Sequence, residues 1–112
     1  MRQSRVADGI WIIDSEVKTL YANGAMAEIL GTEVSRRIGE PSFNYVFAED
    51  VVPAQRLFEA RQRGETASPF HFRLRREDGA AIWVDVQGTP MRNVAGEFIG
   101  IVGTFRMSES QR

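Results

Sequence analysis

Residues 70–90, FHFRLRREDGAAIWVDVQGTP, constrain the fold more than any other part of the chain. Phe70, Phe72 and Leu74 alternate with polar residues, and a second alternating run follows a polar break at residues 77–79. A period of two is the pattern of a β-strand with one buried face. The Asp-Gly pair in the break is typical of a hairpin, because glycine adopts the positive φ that tight turns need. The stretch therefore predicts two antiparallel strands whose apolar face must be covered by the rest of the chain.

Three further strands are predicted. The continuous apolar run at residues 10–13 predicts a short strand buried on both faces, with residues 19–22 as its hairpin partner. Residues 98–107 alternate, yet carry small or apolar side chains on both faces, which indicates a central strand. The chain order is then strand, strand, helices, strand, strand, strand. The predicted fold class is α+β, a five-stranded antiparallel sheet with short helices on one face.

The helices are predicted within residues 24–64. Asn23 is the expected N-cap of the first, because its side-chain oxygen can accept a free amide, and Gly31 is its expected C-terminal stop. Glu49 and Asp50 suit the first turn of a second helix, where the positive end of the helix dipole lies. Gly64 ends that helix, and its apolar stripe comprises Val51, Ala54, Leu57 and Phe58.

Composition bounds the class of protein. A chain of 112 residues forms one domain, and a net charge of −1 with mixed signs argues against electrostatic binding of nucleic acid or a membrane surface. No window approaches the ~20 apolar residues of a membrane span, so membrane insertion is not expected. The absence of cysteine excludes disulfides, thiolate metal sites, cysteine nucleophiles and cysteine-linked chromophores. The composition is compatible with the cytoplasm, which is the expected location.

Catalytic motifs are not found in the sequence. It has no glycine-rich phosphate loop, metal-ligand spacing or nucleophile motif, and the domain itself is not expected to be an enzyme. Three carboxylates cannot be paired into an acid–base site and have simpler roles as turn, rim or helix-start residues: Asp14, Asp85 and Glu49. Three arginines could hold an anionic ligand, although such charges more commonly solvate an exposed hairpin face: Arg73, Arg75 and Arg76.

The order of elements and several motifs resemble the PAS domain, a family of sensory modules in bacterial and eukaryotic proteins. The N-terminal motifs are Asp8-Gly9-Ile10 through Asp14, Asn23 with Ala25, Ile29-Leu30-Gly31, and Ala48-Glu49-Asp50. The C-terminal ones are Arg75-Arg76-Glu77-Asp78-Gly79, Trp83-Val84, Pro90, Gly96, Gly100 and Val102-Gly103-Thr104. The resemblance covers residues 8–107, which leaves an N-terminal stub at 1–7 and a C-terminal tail at 108–112. Met107-Ser108-Glu109 stands where the family often has an Asp-Ile-Thr triplet that couples the last strand to a downstream helix.

The resemblance implies a pocket between the helices and one face of the sheet. Alternation places Phe70, Phe72, Leu74, Ile82, Val84, Val86, Ile101 and Phe105 on the sheet side of this pocket. From the helical side, Phe43, Phe47, Leu57 and Phe58 are expected to close the pocket. The residues expected to bind a ligand are these four together with Phe72, Val84, Ile101 and Phe105. A filled core without ligand is the alternative, because apolar residues at these spacings usually form core.

The opposite face of the sheet is the expected partner surface. A tryptophan and β-branched residues rimmed by charge are typical of protein interfaces, and the family often dimerises there. The interface residues are expected to be Trp83, Val102, Thr104 and His71. Two functions stay open at this stage: a small-molecule sensor that forms a homodimer, and a ligand-free dimerisation or docking module.

Cofactors and the parent protein are judged from the same resemblance. Haem-binding members place the iron ligand on the long helix, where this chain has Ala-Gln-Arg-Leu at 54–57, and His71, the only histidine, faces away from the pocket. Haem is therefore not expected, a covalent flavin adduct is excluded by the lack of cysteine, and the ligand is unknown. The resemblance implies a parent that is a histidine kinase of a two-component system, a cyclic-di-nucleotide enzyme or a transcription regulator.

Overall fold

The computed structural model describes residues 8–33, 37–65 and 70–109. The strands are β1 (Gly9–Asp14), β2 (Thr19–Ala22), β3 (Phe70–Arg75), β4 (Ala81–Arg92) and β5 (Phe98–Met107). The helices are α1 (Gly24–Leu30) and α2 (Val51–Gln62), with 3₁₀ turns at Ser42–Tyr45 and Ala48–Asp50 before α2. The predicted stub at 1–7 and the end of the predicted tail, 110–112, lie outside the described residues.

The strands form one antiparallel sheet in the order β2-β1-β5-β4-β3. The predicted α+β fold is confirmed, and β5 occupies the centre as its two small or apolar faces indicated. The β3–β4 hairpin pairs Phe70 with Val86 and Arg75 with Ala81, and Gly79 in its turn has a φ of 90°. Strand β4 runs on to Arg92, further than the alternation alone showed.

Helix α1 begins and ends where the sequence predicts. The Asn23 Oδ1 atom accepts the Met26 amide at 2.9 Å, and it also accepts the Ile10 amide of β1 at 3.0 Å. Gly31 follows the helix in the left-handed conformation, with φ 73°, and its amide donates to the Ala27 carbonyl at 2.8 Å. One asparagine therefore caps the helix and ties it to the sheet.

Helix α2 begins slightly later than predicted. Glu49 and Asp50 belong to the 3₁₀ turn that precedes it, and the Asp50 side chain makes no capping bond to the helix. Its carboxylate turns to β3 instead. Gly64, with φ 86°, lies two residues beyond the last helical residue.

The core lies between the helices and the inward face of the sheet. An aromatic cluster occupies its centre, where the Trp11 ring lies 5.9 Å from Tyr45 and 5.5 Å from Phe105. The expectation that β1 is buried on both faces is wrong. Trp11 is buried, whereas Ile10 and Ile12 on the outer face are partly exposed, because the described residues leave that face without a covering layer. Among the described residues, no helix is long and apolar enough to cross a membrane.

Candidate functional site

A cavity of about 80 Å³ lies between α2 and the sheet. Its existence follows from the register of β4 and β5, which places Gly88 directly opposite Gly103 on the inward face. Two adjacent strands therefore present no side chain at the same level. The neighbouring Ile101 and Phe105 side chains take up part of that space, since a Cβ at Gly88 or Gly103 would meet them at 3.2 and 2.8 Å. The rest of the space remains open.

Six of the eight residues expected to bind a ligand line this cavity: Phe43, Leu57, Phe58, Phe72, Ile101 and Phe105. Two do not. The Phe47 amide donates to the Arg73 carbonyl at the edge of β3, so Val46 points inward and Phe47 points away, under the Arg73 guanidinium at 4.5 Å. Val84 is fully buried in the filled part of the core, and the cavity wall on β4 is made by Val86 and Gly88.

The remaining lining residues were not in the expected set: Trp11, Ile13, Ser42, Val46, Ala54, Arg61, Leu74, Val86, Gly88 and Gly103. Alternation along β1 predicts that Trp11 and Ile13 face inward, and alternation along the hairpin predicts the same for Leu74 and Val86. No local pattern marks Arg61, which lies near the end of α2 and is only 1% exposed. Its Nε donates to the Gly88 carbonyl at 2.9 Å and its Nη1 to the Glu65 carbonyl at 3.1 Å.

On the outer face, the residues expected at an interface do not form one continuous patch. Trp83 is stacked on His71, with ring centroids 4.6 Å apart, and has the Arg73 guanidinium 5.0 Å from its ring. Val102 is paired with Thr89, six residues beyond Trp83 along β4. It belongs to an apolar row in which Ile12 is flanked by Val102 and Tyr21. Thr104, paired with Gln87, lies between the two ends.

Charged residues separate the two ends of this face. Asp85 is paired with Arg106 across the strands, and the Arg106 Nε lies 3.2 Å from the Asp8 carboxylate. Asp85 also contacts His71, with 2.7 Å between its Oδ1 and the His71 Nδ1. The apolar row Tyr21–Ile12–Val102 is therefore better suited than Trp83 to contact a partner, because Trp83 already packs against side chains of its own chain. Among the described residues, no group of three or more His, Asp or Glu side chains could hold a metal ion.

The three hairpin arginines do not simply solvate an exposed face. Arg75 donates to the Asn44 carbonyl at 2.6 Å, and Arg76 donates to the carbonyls of Glu28 and Ile29 at the end of α1. Arg73 donates through its side chain to both carboxylate oxygens of Asp50, at 2.9 and 3.0 Å. The arginines cross-link the hairpin to the helical layer, while Arg75 stays exposed as expected of a charge on the outer side of a hairpin.

Asp50 gives a prediction on pH dependence. The hydrogen bonds from the Arg73 side chain lower the pKa of the Asp50 carboxyl below its usual value, and the Arg73 amide, which donates at 2.8 Å, adds to this. A lowered folded-state pKa contributes stability above the unfolded pKa of about 4, and this is lost as the pH falls further. Asp50→Asn is therefore expected to lose less unfolding free energy than wild type between about pH 4 and 2.

The measurement for Asp50 is urea denaturation at several acid pH values. Glu59→Gln changes an exposed carboxylate on α2 and serves as the matched control. Its unfolding free energy is expected to fall with pH as steeply as that of the wild type. Equal slopes for wild type and Asp50→Asn would show that the Arg73 contact does not couple folding to protonation.

The comparisons with known proteins come to the same fold. The family model of the PAS fold matches residues 2–107. The chain belongs to the PAS family. Among solved structures, this PAS domain is similar to the PAS domain of a Colwellia psychrerythraea protein, with TM-score 0.83 and 17% identity over 90% of this chain and 86% of that one. A comparison with curated proteins finds no match.

Two similar structures come from proteins named as kinases. One is the domain of a protein described as a light and redox sensing histidine kinase of Haloarcula marismortui, with TM-score 0.75 and 26% identity over 91% of this PAS domain and 90% of that chain. The other is a sensory box histidine kinase/response regulator of Burkholderia thailandensis, with TM-score 0.71 and 19% identity over 91% and 77%. The family is one of sensory modules in signal transduction, and the domain itself is non-catalytic.

Proposed function

We propose that this PAS domain is the input module of a bacterial sensor protein such as a histidine kinase, that it binds a small molecule in the cavity beneath α2, and that it forms a homodimer through the outer face of the sheet. The observation that carries the proposal is the apolar cavity of about 80 Å³ between the two layers. The kinase parent is supported by the 26% identity to the Haloarcula marismortui domain. The cytoplasmic location stays a prediction from composition.

An open cavity has an energetic consequence that favours a ligand. Protein interiors are close-packed, and empty apolar volume costs about 24 cal/mol per Å³. A cavity of about 80 Å³ thus corresponds to about 2 kcal/mol of missing contacts. A molecule of suitable shape regains part of this free energy, whereas a filled core would have nothing to regain.

Strand β5 offers a route from the cavity to the outer face. Ile101 and Gly103 line the cavity, and Val102 and Thr104, which each follow one of them in the chain, face outward. A ligand that binds two arrangements of β5 with different affinity would shift their populations, which is the physical requirement for a switch. In this proposal, the residues of β5 that contact the ligand alternate with the residues of β5 that contact the second protomer.

The ligand claim is tested by titrating the ¹⁵N-labelled protein with 1-propanol and recording amide shifts. We expect saturable shifts at cavity residues such as Leu57, Gly88 and Gly103. Ala54→Leu places three more carbons into the cavity wall and is expected to abolish them, while Ala95→Leu, in the exposed turn before β5, leaves them unchanged. Shifts that are absent in the wild type would favour the ligand-free docking module.

The dimer claim is tested with Val102→Asp. An aspartate at the β5 end of the apolar row places an unpaired charge in the proposed interface, so the dissociation constant is expected to rise at least tenfold. Val94→Asp adds the same charge at a fully exposed loop position and is the matched control. Analytical ultracentrifugation measures both, and an unchanged dimer in Val102→Asp would remove the outer face as the interface.

A further inference from the structure

Arg61 is a buried cation on the wall of an otherwise almost wholly apolar cavity. It is 1% exposed, and the other lining side chains are apolar except Ser42. Its guanidinium carries a positive charge and five N–H donors in a fixed plane. Burying an ion costs several kcal/mol unless an opposite charge and hydrogen bonds compensate it. The position of Arg61 therefore needs an explanation.

The chain supplies only part of the compensation. The carbonyls of Gly88 and Glu65 accept from Nε and Nη1, which uses two of the five N–H donors of the guanidinium. Within the described residues, Arg61 forms no ion pair and its Nη2 donates no hydrogen bond. The side chain of Glu65, whose carbonyl accepts from Arg61, is paired with Arg63 at 2.9 Å. This contact is the main cause of the lowered pKa of the Glu65 carboxyl, to which Arg61 adds less.

The two carbonyls also fix the direction of the side chain. Gly88 belongs to β4 and Glu65 follows the end of α2, so Arg61 extends across the gap between helix and sheet. A Cβ at Gly88 would lie 3.6 Å from its Nε, which shows how closely the guanidinium approaches the strand. The group is thus held in a set orientation at the cavity, and little conformational freedom would be lost when it binds an anion.

We propose that the cavity takes a short-chain aliphatic carboxylate, with its carboxylate on the free donors of Arg61 and its hydrocarbon part against Leu57, Phe72 and Ile101. This assignment rests on the proposed ligand-binding function and names its ligand class. A carboxylate matches the guanidinium in geometry and supplies the missing negative charge. The volume sets the size: about 80 Å³ is roughly half of the ~150 Å³ cavity that holds benzene, so the acid has only a few carbons.

The test compares propionate with 1-propanol, which has the same carbon chain and no charge. By NMR titration of the wild-type protein, propionate is expected to bind at least tenfold more tightly, with the largest ¹⁵N shift at the Arg61 side chain. Arg61→Gln is expected to remove this preference while 1-propanol still binds. Arg63→Gln changes the exposed neighbouring arginine and is the matched control, with the preference retained.

The outcomes separate this inference from the proposed function. If 1-propanol binds and propionate binds no more tightly, or if Arg61→Gln keeps the preference, Arg61 is a structural cross-link between α2 and β4 and the carboxylate assignment is overturned. If neither molecule binds the wild-type protein, the cavity is not a ligand site and the proposed function falls together with the assignment. Should Arg61→Gln not fold, the comparison of the two molecules on the wild-type and Arg63→Gln proteins still decides the assignment.

Discussion

Replacing Trp11 by alanine is expected to lower the free energy of unfolding by about 3–5 kcal/mol. The side chain is 4% exposed, and its ring packs against both Tyr45 and Phe105 in the centre of the core. Its Nε1 also donates to the Thr19 hydroxyl at 2.9 Å, and Thr19 is itself buried. The substitution therefore enlarges the cavity and leaves a buried hydroxyl without its donor.

Urea denaturation of Trp11→Ala measures the loss of unfolding free energy. A second variant separates the contribution of the ring from that of the hydrogen bond, and a third serves as the control. Trp11→Phe keeps most of the aromatic packing and removes the Nε1–H donor, so an intermediate loss of about 1–3 kcal/mol is expected. Val94→Ala, at a fully exposed position, should be close to neutral. A loss below about 1 kcal/mol in Trp11→Ala would mean that the aromatic cluster is not part of the stable core.

Replacing Gly100 by alanine is expected to cost at least about 3 kcal/mol. Gly100 has a φ of 154°, which L-residues rarely adopt, and such strained backbone costs about 1–3 kcal/mol by itself. A Cβ there would also overlap the carbonyl oxygen of Ile13 on the paired strand β1. Backbone atoms cannot move aside as a flexible side chain can, so relief requires that β1 and β5 separate at this point.

Gly79→Ala is the matched control for Gly100→Ala. Gly79 also has a positive φ, of 90°, but a Cβ there meets no atom within 4 Å. Only the conformational penalty of about 1–2 kcal/mol is then expected. Chemical denaturation of the two variants separates strain from overlap, and equal losses would contradict the close approach of β1 to Gly100.

The parts of the fold that were predictable depend on local chemistry. The alternating runs around the Asp-Gly pair at 78–79 specify the β3–β4 hairpin, since turn and strands agree over residues 70–86. Asn23 and Gly31 mark the ends of α1, because capping needs only the next few residues. The six cavity residues that were expected follow from strand and helix periodicity, from the apolar cluster that contains Phe43, and from the pocket that the resemblance implied.

The parts that were missed depend on contacts between distant segments. The resemblance implied a pocket between the layers, but the pairing of Gly88 with Gly103 that leaves it open is a matter of register between two strands that are paired by tertiary structure. The inward turn of Val46 in place of Phe47 is set by a bond to Arg73. Arg61 was absent from the expected set, because no residue near it in sequence indicates that the Gly88 carbonyl of β4 would accept from it.

Native mass spectrometry of the freshly purified protein decides whether the cavity holds a ligand in a dimeric molecule. We expect a dimer of two 12.6 kDa chains in which each chain carries the added mass of one small molecule, and we expect that mass to be released on denaturation. The released molecule is expected to be a carboxylic acid with few carbons. A bare monomer, unchanged after incubation with propionate, would contradict both the sensor proposal and the outer-face dimer.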